Sequence, residues 1–263
     1  MLCVGIDVGA TKVVAGLVDT ASGEVLNRRR VATAPDGVTV LGDCVRLAEE
    51  LYRPEVQGLG VALCELVRPD GTIASAVTVD WEALDIAAAF SHLAPVVVES
   101  DVRAAALAEA RFGAGRGRKS MLYVNVGSGV SHTMILDGRP LVGAHGSAII
   151  TGAPPVETWS SGLALARLAG ESTAEAVLGD PRHGALVTQA AARLGQTLAV
   201  LVNALDPALV VMGGGLGSVS SYRAMVAEAA RSLVYAQETV EILPAATGAD
   251  APGIGAALVA AAR

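Results

Sequence analysis

The chain has 263 residues, of which 52% are hydrophobic and only 17% are charged, a balance that excludes an intrinsically disordered protein. Its 26 acidic residues outnumber 19 basic ones and give a net charge of −7, so no basic excess is available for binding a nucleic acid backbone. The length suits one large domain or two smaller lobes.

The cysteines and the apolar segments indicate the cellular compartment in which the protein is expected. The three cysteines form no Cys-x-x-Cys pair, so neither a disulfide framework nor a thiolate zinc site is predicted. The first residues have no basic segment and carry an early acid, Asp7, so they predict a strand rather than a signal peptide. The longest apolar stretches, around 198–205 and 251–262, are too short to span a bilayer. We therefore expect a soluble cytoplasmic protein without a membrane partner.

Strands and helices are mixed along the chain. Runs rich in Val and Ile predict strands at Leu2–Asp7, Val13–Asp19, Glu24–Ala32, Val56–Leu63, Val96–Glu99, Met121–Asn125, His132–Leu136, Leu209–Met212 and Val240–Leu243. Helical periodicity predicts helices at Val40–Tyr52, Asp101–Phe112, Thr158–Leu168, Ala185–Leu205, Val219–Val234 and Pro252–Ala262. This order, with hairpins early in each half, predicts an α/β fold with mixed sheets. The glycine-rich stretch Phe112–Arg118 is the best candidate for a lobe boundary.

An internal repeat links the two halves. In residues 5–19 and again in 123–138, a polar residue ends an apolar strand and a glycine follows two positions later. An aspartate then closes the next strand twelve residues after that polar residue, in both copies. Two unrelated hairpins would explain the pattern, because glycine turns are common in hairpins. The matched polar ends instead indicate two halves that clamp one ligand.

Three glycine-containing segments are candidates for binding a nucleotide. Asp7-Val8-Gly9-Ala10-Thr11-Lys12 offers backbone amides, a hydroxyl and a positive charge to phosphate, although an ordinary hairpin with a solvated lysine has the same sequence. Gly127-Ser128-Gly129 repeats the arrangement. The cluster Gly213-Gly214-Gly215-Leu216 follows an apolar run and precedes a helix, as a nucleotide site requires. A P-loop and a dinucleotide fold are disfavoured, since neither glycine pattern occurs in the chain.

Together these segments resemble the ROK family of sugar kinases, within the actin, hexokinase and Hsp70-like superfamily. Residues 7–12 look like its first phosphate motif, 127–129 like its second, 207–217 like its adenosine motif and 251–258 like its closing helix. The resemblance covers essentially the whole chain. It implies a two-lobed actin-like fold, a duplicated ribonuclease H-like unit with mixed sheets and an interlobe cleft. The implied lobes are 1–102 with 251–263, and 103–250.

The catalytic residue implied by the resemblance is Asp101. Glu99-Ser100-Asp101 is similar to the family's Glu-Asn-Asp segment, whose aspartate is the general base. Phosphoryl transfer to an alcohol needs such a carboxylate within reach of the hydroxyl. The alternative is that Ser100 and Asp101 simply cap the following helix.

The resemblance also implies the ligand contacts and cofactors. ATP phosphates are expected at Gly9, Ala10, Thr11, Lys12, Gly127, Ser128 and Gly129, and adenosine at Gly213, Gly214, Gly215 and Leu216. Asp7 is expected to hold Mg²⁺ through water. The acceptor is expected to contact Thr78, Ser100, Asp101 and Glu157. A homodimer is expected from the resemblance as well.

The departures from the family pattern restrict the acceptor. Ile150 and Ala153 stand where the family has the glutamate and histidine of a Glu-x-Gly-His motif, and the cysteine segment that follows is deleted. No structural zinc is therefore expected. Losing these polar partners would leave a standard hexose with unsatisfied hydroxyls. The sequence predicts ATP-dependent phosphorylation of a modified sugar or sugar-like polyol, such as an amino sugar or cyclitol. The alternative is an inactive member that binds a nucleotide or small ligand in a regulatory role.

Overall fold

In the computed structural model, which describes residues 1–235 and 240–263, the chain forms two units, each built on a five-stranded mixed sheet. The first unit contains Met1–Gly113, Val142–Ala148 and Thr247–Arg263, and the second contains Ala114–Leu141 and Ile149–Ala246. The chain thus first changes unit inside the glycine-rich stretch 112–118. The lobe boundaries expected from the sequence stay a prediction.

The described residues form ten strands and nine α-helices. The strands are β1 (Leu2–Val8), β2 (Lys12–Asp19), β3 (Glu24–Ala32), β4 (Val56–Leu63), β5 (Val96–Ser100), β6 (Ser120–Val126), β7 (Val130–Leu136), β8 (Arg139–Pro140), β9 (Leu209–Gly213) and β10 (Glu241–Pro244). The helices are α1 (Gly37–Leu51), α2 (Ile86–Phe90), α3 (Asp101–Phe112), α4 (Glu157–Ser160), α5 (Gly162–Ala169), α6 (Ala174–Gly179), α7 (Gly184–Leu205), α8 (Ser220–Arg231) and α9 (Ala251–Ala261).

The two sheets share one topology. Their strand orders are β3-β2-β1-β4-β5 in the first unit and β8-β7-β6-β9-β10 in the second. In each sheet the first three strands in chain order pair antiparallel, and the last two run parallel to the first strand. The repeat seen in the sequence therefore corresponds to a repeated fold. Asp7 and Asn125 take equivalent places near the ends of β1 and β6.

Each sheet carries its own core. In the first unit the buried residues of β1, β2 and β4 pack with α1 and Phe90, and in the second those of β6 and β9 pack with α7 and α8. Strand β9 and all of β4 except the exposed Gln57 are apolar, because both of their faces are buried. The position of α3, which begins at Asp101, depends on α9, since these two helices pack closely on each other.

Helix α7 corrects one expectation drawn from the sequence. With the preceding turn it spans Pro181–Leu205, 25 residues, and an 18-residue window within it has a mean hydropathy of 1.3, so it is long and apolar enough to cross a membrane by length and composition. The prediction that no apolar stretch has this length was wrong. Eight residues of α7 are nevertheless buried, and its apolar face packs in the core of the second unit. A core helix of this kind meets the same criteria.

Candidate active site

Two partly buried carboxylates lie near each other in the first unit. The pKa of Asp7 is raised to about 7, chiefly by burial and also by the charge of Asp101, while Lys12 opposes both effects. Burial also raises the pKa of Asp101 to about 6, against a lowering by the hydrogen bond from the Val102 amide. A carboxylate with a pKa near neutrality is a proton acceptor, and two such groups beside one lysine suit a divalent cation.

The start of α3 holds Asp101 in place. Asp101 Oδ1 accepts a hydrogen bond from the Val102 amide at 2.6 Å. Ser100 occupies the N-cap position, but its side chain makes no capping hydrogen bond. Its hydroxyl is buried and has no partner within the part of the chain that the structure describes. Nothing in the structure therefore gives Ser100 a capping role. The alternative hypothesis, in which these residues only cap the helix, depends on Asp101 alone.

A buried ion pair anchors the same helix end. The Arg103 side chain is completely buried, and its Nε donates to Glu99 Oε1 at 2.7 Å. Its two terminal nitrogens donate to the carbonyl oxygens of Val67 at 2.7 Å and Gly146 at 3.2 Å. Glu99 Oε1 also accepts from the Ser100 amide at 2.7 Å. Arg103 was not predicted as a functional residue. A glutamate and an arginine four residues apart, entering an alanine-rich helix, were the available signal.

The first glycine turn joins β1 to β2 and is anchored by β3. The Gly9 amide donates to the Lys12 carbonyl at 3.0 Å, and the Thr33 hydroxyl donates to the Gly9 carbonyl at 2.7 Å. The Thr33 amide donates to the Thr11 carbonyl at 3.2 Å. Ala10, Thr11 and Lys12 are exposed. The turn is thus fixed at its base, while the groups proposed to meet phosphate face solvent.

In the second unit the structure brings together the other two glycine segments. Strands β6 and β9 are neighbours, and their register pairs Asn125 with Gly213. The amides of Leu216 and Gly217 both donate to the Val126 carbonyl, at 2.9 and 3.0 Å. Residues 213–216 therefore lie directly beside the turn 127–129, which begins after Val126. This is the arrangement expected if one segment binds phosphate and the other binds adenosine.

The glycines of this cluster are not equivalent. Gly214 has φ +81°, and a Cβ there would lie 2.5 Å from the Val126 carbonyl oxygen. A Cβ on Gly213 would lie 2.2 Å from Tyr123 Oη. At Gly215 a Cβ would meet open space. The first two are glycines because neighbouring atoms leave no room, whereas Gly215 keeps its backbone accessible.

Glu157, predicted from the sequence to contact the acceptor, lies beside the second glycine turn. It begins α4, and its Oε2 accepts a hydrogen bond from the Val130 amide at 3.3 Å. A Cβ on Gly129 would lie 2.9 Å from the same oxygen. The Gly127 carbonyl accepts from the Gly162 amide at 2.7 Å, which ties the turn to α5. In the second unit, a candidate acceptor-binding residue thus lies next to a candidate phosphate-binding turn.

A model of the ROK family matches residues 3–263 of the chain. The chain belongs to the ROK family. It is 31% identical to the bifunctional enzyme NanE/NanK of Brucella melitensis over 97% of its own length, but spans only about half, 53%, of that enzyme.

Two solved ROK structures cover the whole chain. A glucokinase from Streptomyces griseus, in complex with glucose and AMPPNP, matches with TM-score 0.87 and 25% identity over 100% of both chains. A hexokinase from Thermus thermophilus matches with TM-score 0.84 and 30% identity over 100% of this chain and 98% of its own. The predicted two-lobed α/β fold with mixed sheets is confirmed. The convergence of all the candidate residues on one cleft stays a prediction.

Two residues that the sequence predicts to depart from the family pattern, Ile150 and Ala153, lie in the second unit. Ile150 is 50% exposed, and it forms an isolated bridge with Ser131; its correspondence to the family's glutamate stays a prediction. Thr151 beside it is buried, and its hydroxyl lies 3.0 Å from His132 Nδ1. Burial lowers the pKa of His132, which favours the neutral imidazole. Next to β7 the chain therefore presents an apolar side chain rather than a charged one.

The raised pKa values predict how the stability of this ROK protein depends on pH. A carboxyl whose pKa is raised by folding contributes stability fully below its unfolded pKa, near 4, and this contribution is lost as the pH rises through the folded value. For Asp101 and Asp7 those folded values are about 6 and about 7. We expect Asp7→Asn to reduce the fall in melting temperature between about pH 4.5 and about pH 7.5. Thermal unfolding of the wild type and the variant across this pH range, in the presence of a chelator, measures the difference.

Asp36 provides a control, because its pKa is shifted in the direction opposite to that of Asp7. It caps α1, and the hydrogen bond from the Thr39 amide lowers its pKa. Its contribution is therefore present at neutral pH and lost as the pH falls. Asp36→Asn should not reproduce the Asp7→Asn effect. Identical pH profiles for the wild type and Asp7→Asn would show that Asp7 titrates normally.

Proposed function

We propose that this chain is an ATP-dependent kinase that phosphorylates a hydroxyl group of a sugar or sugar-like polyol. The observation that carries the proposal is the pair Asp7 and Asp101, whose pKa values are both raised towards neutrality beside Lys12. The family membership and the glucose-bound and AMPPNP-bound glucokinase relative support the same reaction class.

Asp101 is proposed as the general base. With a pKa of about 6 it is ionised at neutral pH yet basic enough to take a proton. Its carboxylate accepts the proton of the acceptor hydroxyl as the new oxygen–phosphorus bond forms. The buried Arg103–Glu99 pair fixes the start of α3, so the base is oriented before the acceptor binds.

The glycine segments are proposed to bind ATP. The bound nucleotide supplies the phosphoryl group. Residues 9–12 and 127–129 bind its phosphates, since both turns expose backbone and hydroxyl donors, and residues 213–216 bind adenosine. The fit is supported by the tight packing at Gly214, where a Cβ would press on the Val126 carbonyl, and by the open space at Gly215. Lys12 is exposed and would neutralise phosphate charge.

Mg²⁺ is the proposed metal, held by Asp7 through water. The donor set fits, because an oxygen ligand whose pKa is raised by burial and by a second carboxylate gains from a nearby divalent cation. We propose that no structural zinc is bound, because Ile150 and Ala153 offer no ligand atoms where the family has polar residues. Metal analysis of the purified protein tests this; stoichiometric zinc would contradict it.

The proposed acceptor residues are Thr78, Ser100, Asp101 and Glu157. We propose an acceptor with fewer hydroxyls than glucose or with an added apolar group, such as an amino sugar or cyclitol, because Ile150 replaces a charged side chain and is 50% exposed. Glucose and N-acetylmannosamine should be poor substrates. A rate with either that is typical of enzymes, about 1 s⁻¹ or more, would contradict the proposal.

A thermal-shift panel of sugars, amino sugars and cyclitols with Mg-ATP tests the function. A specific ligand raises the melting temperature by mass action, whether or not it is turned over. ADP release is then measured with each ligand that binds. Binding without any ADP release would favour the alternative, an inactive ROK protein in a regulatory role. We also propose a cytoplasmic homodimer without a nucleic acid partner, and sedimentation tests the dimer.

A further inference from the structure

A buried carboxylate in the first unit organises an exposed loop. Glu65 follows β4 and is only 3% exposed. Its carboxylate accepts hydrogen bonds from the amides of Val77, Thr78 and Val79, at 2.9, 2.6 and 3.2 Å. It also accepts one from the Ser75 hydroxyl. Three consecutive amides thus close around one carboxylate, as backbone does around a bound anion.

Besides Glu65, the loop is anchored by Ser75, whose hydroxyl accepts from the Leu66 amide at 2.8 Å, and by Val79, which is buried in the core of the first unit. Residues 74–80 contain no helix or strand, and Val77 is 87% exposed. Thr78 is exposed as well, so of this stretch only Val79 is buried. A buried carboxylate is costly unless several donors satisfy it, and here four donors do. The loop and Glu65 therefore stabilise each other, and removing the charge would release the loop.

The loop also lies close to the proposed base. Leu63, two residues before Glu65, pairs with Ser100, the neighbour of Asp101, and the negative charge of Glu65 contributes to the raised pKa of Asp101. Burial raises the pKa of the neighbouring Cys64 thiol, the Thr78 side chain lowers it, and the charges of Asp101 and Asp7 raise it. Thr78 is thus held next to the carboxylate pair through Glu65, although it stands far along the chain from both acids.

We propose that Glu65 is a positioning residue that holds the loop Ser75–Val79 in the conformation that binds the acceptor. This inference rests on the proposed kinase function and adds to it the group that sets acceptor affinity. Glu65 acts through the loop backbone and has no part in proton transfer or nucleotide binding. Its removal should therefore weaken acceptor binding and leave the chemical step intact.

Glu65→Gln, Glu65→Asp and a matched control, Glu109→Gln, provide the test. Glu109 is also a buried carboxylate that accepts an amide hydrogen bond, from Thr247 at 2.7 Å, but it lies eight residues beyond Asp101 on α3. In Glu65→Gln we expect the acceptor KM to rise about tenfold or more, with kcat and the KM for Mg-ATP within about threefold. Glu65→Asp, which keeps the charge, should be intermediate. Glu109→Gln should change stability but not the acceptor KM.

Hydrogen exchange separates this inference from the proposed function. The amides of residues 77–79 should exchange faster in Glu65→Gln than in the wild type, whether or not the protein is a kinase. If the wild type bound a sugar but released no ADP, the kinase proposal would fail, and calorimetric sugar affinity would replace KM. Unchanged exchange at these amides would overturn the inference. So would unchanged acceptor affinity in Glu65→Gln, or an equal loss in Glu109→Gln.

Discussion

Replacing Asp101 with asparagine is expected to lower turnover at least about a hundredfold while acceptor and nucleotide binding persist. Asparagine keeps the shape and polarity of the side chain but cannot accept the hydroxyl proton. The loss should therefore appear in kcat rather than in either KM. Steady-state ADP release, measured with the acceptor that the thermal-shift panel selects, gives both quantities.

The same variant distinguishes catalysis from helix capping. Asparagine caps a helix nearly as well as aspartate, so a purely capping Asp101 could be replaced without loss of activity. Burial raises the pKa of Asp101, so its ionisation at neutral pH opposes folding, and the variant should melt no lower than the wild type. Lost activity with unchanged or raised stability identifies a catalytic carboxylate. Equal activity in the two proteins would remove Asp101 as the base.

The repeated fold could be predicted from the sequence because the repeat leaves local signals. Each copy begins with an apolar strand that ends in a polar residue and a glycine, and the hairpins β1–β2 and β6–β7 formed as expected. The predicted strand bounds agree with the structure to within two residues in β1, β2 and β4. Strand order within each sheet depends on pairing between distant segments, which local sequence signals do not reveal.

The helices show where local signals fail. The predicted helix 158–168 is divided into α4 and α5, because Ser161 adopts an extended conformation and its hydroxyl caps α5 at the Ala164 amide. A serine inside a run of periodically spaced apolar residues is only a weak signal that a new helix begins there. Helix α6 was not predicted at all, since its six residues are too few for a clear period.

Candidate site residues could be predicted from the sequence where they belong to a motif. They could not be predicted where their hydrogen-bond partners lie far away along the chain. Asp7 and Asp101 were predicted as functional residues; the charge of Asp101 raises the pKa of Asp7, and the roles of both stay a prediction. Arg103 was missed because two of its partners, Val67 and Gly146, lie 36 and 43 residues away. Glu65 was not predicted as a functional residue, because its hydrogen bonds are made to backbone amides 12 to 14 residues further along the chain.

Gly255→Ala should be among the most destabilising substitutions in the first unit. A Cβ on Gly255 would lie 1.7 Å from the Ala104 carbonyl oxygen, so α9 and α3 could no longer pack at their present distance. Both contact surfaces are backbone, and neither can move aside by changing a rotamer. We expect a loss on the order of 3 kcal/mol or more, which lowers the melting temperature by roughly 10 °C. Calorimetric unfolding measures it.

Gly253→Ala, two residues earlier on the same helix, is the matched control. A Cβ there would meet only the Gly5 carbonyl oxygen at 3.6 Å, an ordinary contact, and alanine favours the helix by up to about 1 kcal/mol. Its melting temperature should be unchanged or slightly raised. Since α3 begins at Asp101, the folded fraction of Gly255→Ala should also lose kcat, because the helix that carries the base must shift. Equal melting temperatures for the two variants would mean that α3 and α9 are not packed this closely in solution.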